Sequence, residues 1–271
     1  MITKTNDMRT ALKAVILLSA CLIISNFASA KSEVSTDKTK ILFIGNSYTF
    51  WIEDILNDAL KKSEFKDSAQ FEFHTKGSTN LGYFAQDGKL TLKLLTEGYD
   101  VVVLQEWSRG VGNTTETTKI FHDALYSFRD LSNNRFESVL YMTWGRENAG
   151  GYKSYKNMHK RVSQGYKTAA QEYDMKLAPV ALVWNKVFKE LEKFERGHEL
   201  YEDSIGHPSK KGQMLIASVF FKMFFNDNLS WYKPEFENQF TDEEWAFVTK
   251  TVDTVMKKTK RYKLSKQVKA Q

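Results

Sequence analysis

Residues 100–104, Asp-Val-Val-Val-Leu, are the segment that most constrains the fold of this chain. Three consecutive valines favour a β-strand, because β-branched side chains fit an extended backbone. A strand that is apolar on both faces is typical of a parallel sheet covered by helices on both sides. We therefore expect residues 100–104 to form the centre of a buried sheet.

Four more short segments have the same character, and amphipathic stretches separate them. The other predicted strands are 40–44, 71–74, 138–142 and 177–180. The predicted helices are 51–60, 90–95, 115–131, 155–173, 183–194 and 212–225. Strands that alternate with helices predict an α/β domain of three layers, α/β/α, with a mainly parallel sheet. Ligands of such domains bind beyond the carboxyl ends of the strands.

The first 30 residues have the features of a secretory signal peptide. Basic residues precede an apolar stretch over 14–24, and Ala-Ser-Ala at 28–30 is an A-x-A cleavage site. We expect cleavage after Ala30 and a periplasmic or secreted protein without a transmembrane segment. The alternative is a lipoprotein attached through Cys21, but the apolar run continues past this residue, which favours cleavage after Ala30.

Charge is concentrated at the two ends of the chain. The formal net charge is +6; the predicted signal peptide contributes +2 and residues 257–271 contribute +7, which leaves −3 between them. We predict one domain over 31–256, with a last helix that opens on a capping box at Thr241 and ends near Met256.

The basic tail, 257–271, contains no acidic residue. A nucleic-acid role is not expected, because no nucleic-acid-binding motif accompanies the tail and the chain carries an export signal. We expect a solvated, frayed helix end. An electrostatic contact with an anionic envelope surface is the alternative.

Two polar clusters carry chemistry. Gly45-Asn46-Ser47 follows the first predicted strand, so Ser47 is expected at the sheet edge with its N–H at a helix N-terminus, where negative charge is stabilised. Taken alone, such a serine is usually a helix N-cap. His207 opens a later segment and is suited to accept the proton of a serine nucleophile. Asp203 is the nearest carboxylate that could orient it.

These clusters, in this order, resemble those of the SGNH (GDSL-like) hydrolases, especially an exported bacterial esterase-like branch. The matching blocks are 41–49 (Ile-Leu-Phe-Ile-Gly-Asn-Ser-Tyr-Thr), Gly77, 102–108, 143–145, 178–180, 207–209 and Gly212. The resemblance covers roughly residues 40–221. It implies a flavodoxin-like sheet and a serine esterase that forms an acyl-enzyme, with no metal or organic cofactor.

The resemblance also implies roles for single residues. Ser47 corresponds to the nucleophile and His207 to the base, while the N–H groups of Ser47 and Gly77 correspond to oxyanion donors. The family places its aspartate three residues before the histidine, where this chain has Ser204. Either the loop bulges so that Asp203 reaches the imidazole, or a backbone carbonyl orients it; we expect Asp203.

The third block departs from the family pattern Gly-x-Asn-Asp, whose asparagine amide is an oxyanion donor. This chain has Gln-Glu-Trp-Ser at 105–108. Gln105 carries the same amide on a longer side chain and is our candidate donor. The alternative, of equal weight, is a polar residue that bonds to the backbone at the end of the strand.

Further side chains are expected near the crevice. Tyr48, Trp107 and Trp144 could stack on sugar rings, although most aromatic side chains are core residues. Arg146 and Glu147 either contact substrate or form a solvated ion pair.

The expected function is an exported ester hydrolase that removes acyl groups, in particular acetyl groups, from a small-molecule or polysaccharide substrate. One alternative is a non-catalytic glycan-binding protein on the same fold. Another is a hydrolase of lipid or thioester acyl groups.

Overall fold

The computed structural model of the protein describes residues 38–237 and 239–271. The predicted signal peptide, its cleavage site and Cys21 lie outside the described residues, so export stays a prediction. Within the described ranges, no helix is both long enough and apolar enough to cross a lipid bilayer.

Five strands form one sheet in which every neighbouring pair is parallel. They are β1 (Thr39–Gly45), β2 (Ala69–Thr75), β3 (Val101–Leu104), β4 (Glu137–Tyr141) and β5 (Lys176–Ala178). Their order is β2-β1-β3-β4-β5, the flavodoxin-like order. The strand with the three valines is therefore central, as its apolar pattern predicts, and all four of its residues are buried.

Helices connect the strands. Those in the described part of the chain are α1 (Ser47–Phe50), α2 (Glu53–Lys62), α3 (Leu81–Ala85), α4 (Gly88–Thr96), α5 (Thr115–Ser132), α6 (Tyr155–Glu172), α7 (Val180–Leu191), α8 (Lys210–Phe225) and α9 (Asp242–Met256). The short helix α3 was not predicted from the sequence. The first predicted helix, 51–60, corresponds to α2, and the short α1, which starts at Ser47 itself, precedes it and was not predicted.

The sheet is covered on both faces. Phe43 of β1 packs against Phe220 and Phe224 of α8, with ring centroids 5.1 and 6.1 Å apart. Side chains alternate along a strand, so Leu42 and Ile44 point to the opposite face, and both are fully buried there. The predicted three-layer α/β/α architecture is confirmed.

The last helix begins as predicted. The Thr241 hydroxyl accepts a hydrogen bond from the Glu244 N–H at 3.2 Å, and the Glu244 carboxylate accepts one from the Thr241 N–H at 3.0 Å. This reciprocal pair is a capping box, and α9 ends at Met256.

The basic tail is packed against the domain, and our expectation of a frayed helix end is wrong. Tyr262, Leu264 and Val268 are buried, and the Val268 N–H donates to the Phe224 carbonyl at 2.9 Å. Arg261 donates to two backbone carbonyls at the end of α6 and just before β5, at 2.8 and 2.9 Å. The charge count overlooked the apolar side chains interspersed among the basic ones, and these hold the tail on the body.

Candidate active site

The turn between β1 and α1 presents Ser47 at the carboxyl edge of the sheet. Asn46, not Ser47, is the N-cap of α1: its side-chain oxygen accepts from the Tyr48 N–H at 3.1 Å. The Asn46 amide also donates to the Thr79 carbonyl at 2.8 Å, which ties the turn to the loop after β2. Because Asn46 caps the helix, the partly exposed Ser47 hydroxyl is left for another partner.

That partner is His207. Its Nε2 lies 2.7 Å from Ser47 Oγ, and its Nδ1 lies 2.6 Å from Asp203 Oδ2. The other carboxylate oxygen of Asp203 accepts from the His207 backbone N–H at 3.1 Å. The structure thus brings together the three side chains predicted as nucleophile, base and orienting acid, although Asp203 is four residues before the histidine.

The loop between Asp203 and His207 makes the longer spacing work. Asp203 Oδ1 also accepts from the Ile205 N–H at 3.1 Å, which closes a tight turn. Gly206 follows with φ of +90°, in the region that favours glycine. The turn takes up the extra residue and leaves the Asp203 carboxylate facing the imidazole.

Electrostatics favour an ionised aspartate. Partial burial acts to raise the pKa of Asp203. Hydrogen bonds from the His207 side chain and backbone act to lower it and outweigh burial, so the pKa lies below its ordinary value. The carboxylate is therefore charged near neutral pH. A charged acceptor at Nδ1 holds the imidazole with its free Nε2 lone pair towards Ser47.

The predicted oxyanion donors lie on two neighbouring loops. Among residues 38–237 and 239–271, neither the Ser47 nor the Gly77 N–H donates to a protein acceptor. The loop containing Gly77 is held beside the Ser47 turn, because the Lys76 N–H donates to the Gly45 carbonyl at 3.1 Å. Both N–H groups remain candidates for binding an oxyanion.

Comparison with known proteins identifies the fold. No family model matches the sequence, and no curated protein matches it significantly. The structure is similar to that of a DUF4886 family protein from Bacteroides uniformis, with a TM-score of 0.65 and 14% identity, covering 82% of this chain and 96% of that one.

Two further solved structures carry hydrolase names. Axe2, an acetylxylan esterase from Geobacillus stearothermophilus, has a TM-score of 0.52 and 15% identity, covering 68% of this chain and 93% of its own. A protein from Parabacteroides merdae assigned to the GDSL-like lipases has a TM-score of 0.52 and 12% identity, covering 69% and 95%. The chain shares its α/β/α fold with these three solved structures. At these identities the similarity is one of fold.

Gln105 is a buried residue that holds the turn before Ser47. It is 1% exposed, and its side-chain oxygen accepts from the Asn46 N–H at 2.8 Å and from the Thr49 hydroxyl at 2.9 Å. Its amide nitrogen donates to the Glu106 carbonyl. Our choice of Gln105 as an oxyanion donor is therefore corrected: it bonds to the backbone that positions Ser47.

Two of the three aromatic residues proposed for sugar stacking are core residues instead. Tyr48 is 2% exposed and donates from its hydroxyl to the Ile205 carbonyl at 3.0 Å. Trp144 is fully buried, donates to the Gly206 carbonyl at 3.2 Å and stacks on Trp184 with centroids 4.2 Å apart. Both hold the loop that carries the histidine, and neither can meet a sugar face.

Trp107 remains partly exposed, as a stacking residue would be. The guanidinium of Arg109 lies 4.6 Å from its ring centroid and covers one face of the ring. The backbone N–H of Trp107 donates to the Glu106 carboxylate at 2.7 Å, which fixes the backbone just after β3.

Sequence reasoning missed Trp51, which stacks on the imidazole of His207 with centroids 5.2 Å apart and ring planes at 11°. The sequence showed Trp51 only as part of an apolar helical pattern. Its distance of four residues from Ser47, about one helical turn, was the available signal. The indole covers one face of the imidazole and restricts its rotation.

The remaining histidines have other partners. His74 lies 3.2 Å from Asp87, and His122 Nδ1 lies 3.1 Å from the Tyr173 hydroxyl. In the part of the chain that the structure describes, no three His, Cys, Asp or Glu side chains come together as a metal site would require.

Proposed function

We propose that the protein is a serine ester hydrolase that works through an acyl-enzyme. The observation that carries the proposal is the hydrogen-bonded row from Ser47 through His207 to Asp203, with distances of 2.7 and 2.6 Å. Nucleophile, base and orienting acid are recognised by this geometry rather than by position in the sequence. The fold is one that the acetylxylan esterase also has.

The hydrogen bonds from Ser47 to His207 and from His207 to Asp203 determine the proposed reaction steps. Ser47 Oγ attacks the acyl carbon while its proton passes to His207 Nε2, and the imidazolium then gives that proton to the leaving alcohol. A water molecule attacks the acyl-enzyme with His207 again as base, which releases the acid and restores the serine. Asp203 accepts from Nδ1–H throughout, so it fixes the tautomer and stabilises the imidazolium.

We assign the oxyanion of the tetrahedral intermediate to the N–H groups of Ser47 and Gly77. Each such donor is worth a factor of about 10² to 10³ in rate when it is preorganised. Gln105 does not contribute, because its amide bonds to the protein backbone and to Thr49.

The proposed setting is the periplasm or the exterior of the cell, with an acetylated carbohydrate as substrate. The signal-peptide pattern of residues 1–30 supports export. The similarity in fold to an acetylxylan esterase supports a carbohydrate ester. The exposed lysines of the tail, at 257, 258, 260, 266 and 269, are available for a contact with an anionic envelope surface.

Turnover of 4-nitrophenyl acetate tests the activity. Ser47→Ala and His207→Ala should each lower kcat/KM by about 10³-fold or more, and Asp203→Asn should lower it by about 10²-fold or more. Ser204→Ala is the matched control, because Ser204 is exposed in the same loop at the family's usual aspartate position. Wild type and Ser47→Ala with equal rates would contradict the proposal.

Two further measurements separate the alternatives. A fluorophosphonate probe should label wild type and spare Ser47→Ala; absence of labelling, together with glycan binding, would favour a non-catalytic binding protein. A series of acyl lengths should show the highest kcat/KM for acetyl esters. A maximum at long chains would favour lipid substrates instead.

A further inference from the structure

Arg146, in the loop that follows β4, is a buried cation without an acidic partner among the described residues. Its side chain is 9% exposed, and its Nε and Nη2 donate to the Ser108 hydroxyl at 3.2 and 2.7 Å. Within residues 38–237 and 239–271 no carboxylate lies within 4 Å of it, Glu147 included. A buried guanidinium that faces the Ser108 and Tyr48 hydroxyls rather than a carboxylate is unfavourable for folding.

The side chain lies beside the proposed catalytic row. A Cβ added to Gly206 would lie 2.9 Å from Arg146 Cγ and 2.9 Å from the Tyr48 hydroxyl, so the glycine is packed between these two side chains. Gly206 precedes His207, and Tyr48 follows Ser47. The guanidinium therefore belongs to the wall of the site that the histidine loop forms.

A second cation lies on the adjacent loop. The Nε of Arg109 is buried and has no hydrogen-bond partner in the part of the chain that the structure describes. Its guanidinium lies over the ring of Trp107. No carboxylate of the described residues forms an ion pair with it. Outside this region, Arg129, Arg196 and Arg261 each pair with an acidic side chain.

Tyr152 shows that these cations share one region. Burial raises the pKa of its hydroxyl, whereas Arg161, Arg109 and Arg146 all act to lower it. The guanidinium of Arg161 is 5.5 Å from the Tyr152 ring, and the Tyr152 hydroxyl donates to the Val111 carbonyl at 3.2 Å. All three guanidinium groups therefore act electrostatically on this one hydroxyl.

The order of the strands explains why Arg109 and Arg146 lie in the same region. β3 and β4 are neighbours in the sheet, so the loops that follow them leave the same edge side by side. The bonds from Arg146 to Ser108 and from Tyr152 to Val111 join the two loops. Residues 31–256 carry a net charge of −3, so this local excess of positive charge is not a consequence of overall composition.

We propose that Arg146 and Arg109 form a carboxylate-binding subsite beside Ser47, so that the preferred ester is carried by an acidic molecule of the uronic-acid type. A planar guanidinium binds a carboxylate through two parallel hydrogen bonds, which also fixes the orientation of the substrate. The exposed Arg161 lies at the rim, where it attracts the anion. The assignment of substrate class rests on the proposed esterase function.

Two probes that differ only in charge test the subsite. They are monoacetylated methyl glucuronoside and monoacetylated methyl glucoside, in which a hydroxymethyl group replaces the carboxylate. Wild type should hydrolyse the acidic ester with a kcat/KM about 10-fold higher or more, since hydrogen bonds to charged groups are among the strong ones. The preference should shrink as salt is added.

Substitution of single arginines shows which residues produce the preference for the acidic ester. Arg146→Gln should lower kcat/KM for the acidic ester about 10-fold more than for the neutral one, and Arg109→Gln should act in the same direction. Arg135→Gln is the control, because this exposed arginine precedes β4 at the opposite edge of the sheet and its side chain bonds only to the Leu131 carbonyl among described residues. Equal losses on both esters in Arg146→Gln would assign that residue a structural role and overturn the subsite.

A binding experiment separates the subsite from the catalytic proposal. Calorimetric titration of Ser47→Ala with the same two esters requires no turnover, and the acidic ester should bind about 10-fold tighter. If wild type hydrolyses neither ester while Ser47→Ala binds the acidic one selectively, the esterase proposal fails and the subsite stands. If wild type hydrolyses both equally and Ser47→Ala shows no selectivity, the subsite is wrong and the esterase proposal stands.

Discussion

At the scale of single residues, the imidazole of His207 is held from three directions. Asp203 bonds one nitrogen, Ser47 bonds the other, and Trp51 stacks on the ring face. Such a ring has little freedom to rotate away from the serine. Preorganisation of this kind is what a general base requires, because proton transfer depends on a hydrogen bond that is already aligned.

Glu106 is the residue whose ionisation should set a pH dependence of stability. It is 1% exposed, and burial raises its pKa to about 7, although hydrogen bonds from the Leu81 and Trp107 N–H groups act to lower it. An unfolded glutamate titrates near 4.3, so between about pH 4.3 and pH 7 the folded protein binds a proton that the unfolded chain does not. The free energy of unfolding should therefore fall by roughly 3 kcal/mol as pH rises through this window.

Urea unfolding of wild type and Glu106→Gln between pH 4.5 and 8 measures this effect. The free energy of unfolding of Glu106→Gln should not show this fall with pH. The difference between its pH curve and that of wild type therefore separates Glu106 from other titrating groups. Glu116→Gln, at an exposed position in the first turn of α5, should keep the wild-type slope. Parallel curves for wild type and Glu106→Gln would show that the buried carboxyl does not govern the slope.

At the scale of elements, His207 lies in the segment between the 3₁₀ helix Gly197–Leu200 and α8. It is fixed from several sides: the Glu202 N–H donates to the His207 carbonyl at 2.9 Å, and the Ser209 N–H donates to the Leu200 carbonyl at 3.0 Å. α8 then begins with Ser209 as N-cap. These hydrogen bonds fix the backbone on both sides of His207.

Gly206→Ala should disturb this segment. At φ of +90° an alanine backbone is strained, and the new methyl carbon would lie 2.9 Å from two side-chain atoms. We therefore expect the free energy of unfolding to fall by roughly 1 to 3 kcal/mol. Esterase kcat should fall as well, because His207 is the next residue. Thermal unfolding and turnover of 4-nitrophenyl acetate measure the two effects.

Gly88→Ala is the matched control for this substitution. Gly88 starts α4, and nothing lies within 4 Å of the added Cβ. Alanine is favoured over glycine in a helix, so the control should be neutral or slightly stabilising. Equal stability of the two variants would mean that the Gly206 turn is not strained by a side chain.

At the scale of the whole molecule, the C-terminal tail is a structural part of the domain. Its buried Tyr262, Leu264 and Val268 lie against α6, α8 and the edge of the sheet, while most of its lysines stay in solvent. The segment therefore combines an apolar attachment with a charged outer surface.

Deletion of residues 259–271 should lower the free energy of unfolding by about 3 kcal/mol or more, since burial of each large apolar side chain contributes about 1.5 to 3 kcal/mol. Urea unfolding measures the loss. Replacing the exposed Lys257, Lys258, Lys266 and Lys269 with Gln should change stability far less, because solvated charges contribute little. A deletion variant as stable as wild type would show that the tail only rests on the surface.

The sequence by itself determined the sheet and its helices, because apolar periodicity and capping residues act over a few neighbouring positions. The three valines of β3 and the capping box at Thr241 are local signals of this kind. The sequence also singled out Ser47 and His207, because each lies beside a regular element and has the chemistry of its predicted role. Export stays a prediction from the sequence, because residues 1–30 lie outside the described residues.

Only the tertiary structure decided which side chains meet. Asp203 reaches the imidazole because a turn with Gly206 takes up one residue, and no local pattern encodes that distance. Gln105 is committed to the Asn46 backbone because β1 and β3 end side by side. The burial of Trp144 under α7 and the unpaired charge of Arg146 arise from long-range packing, which brings together residues that are far apart in the chain.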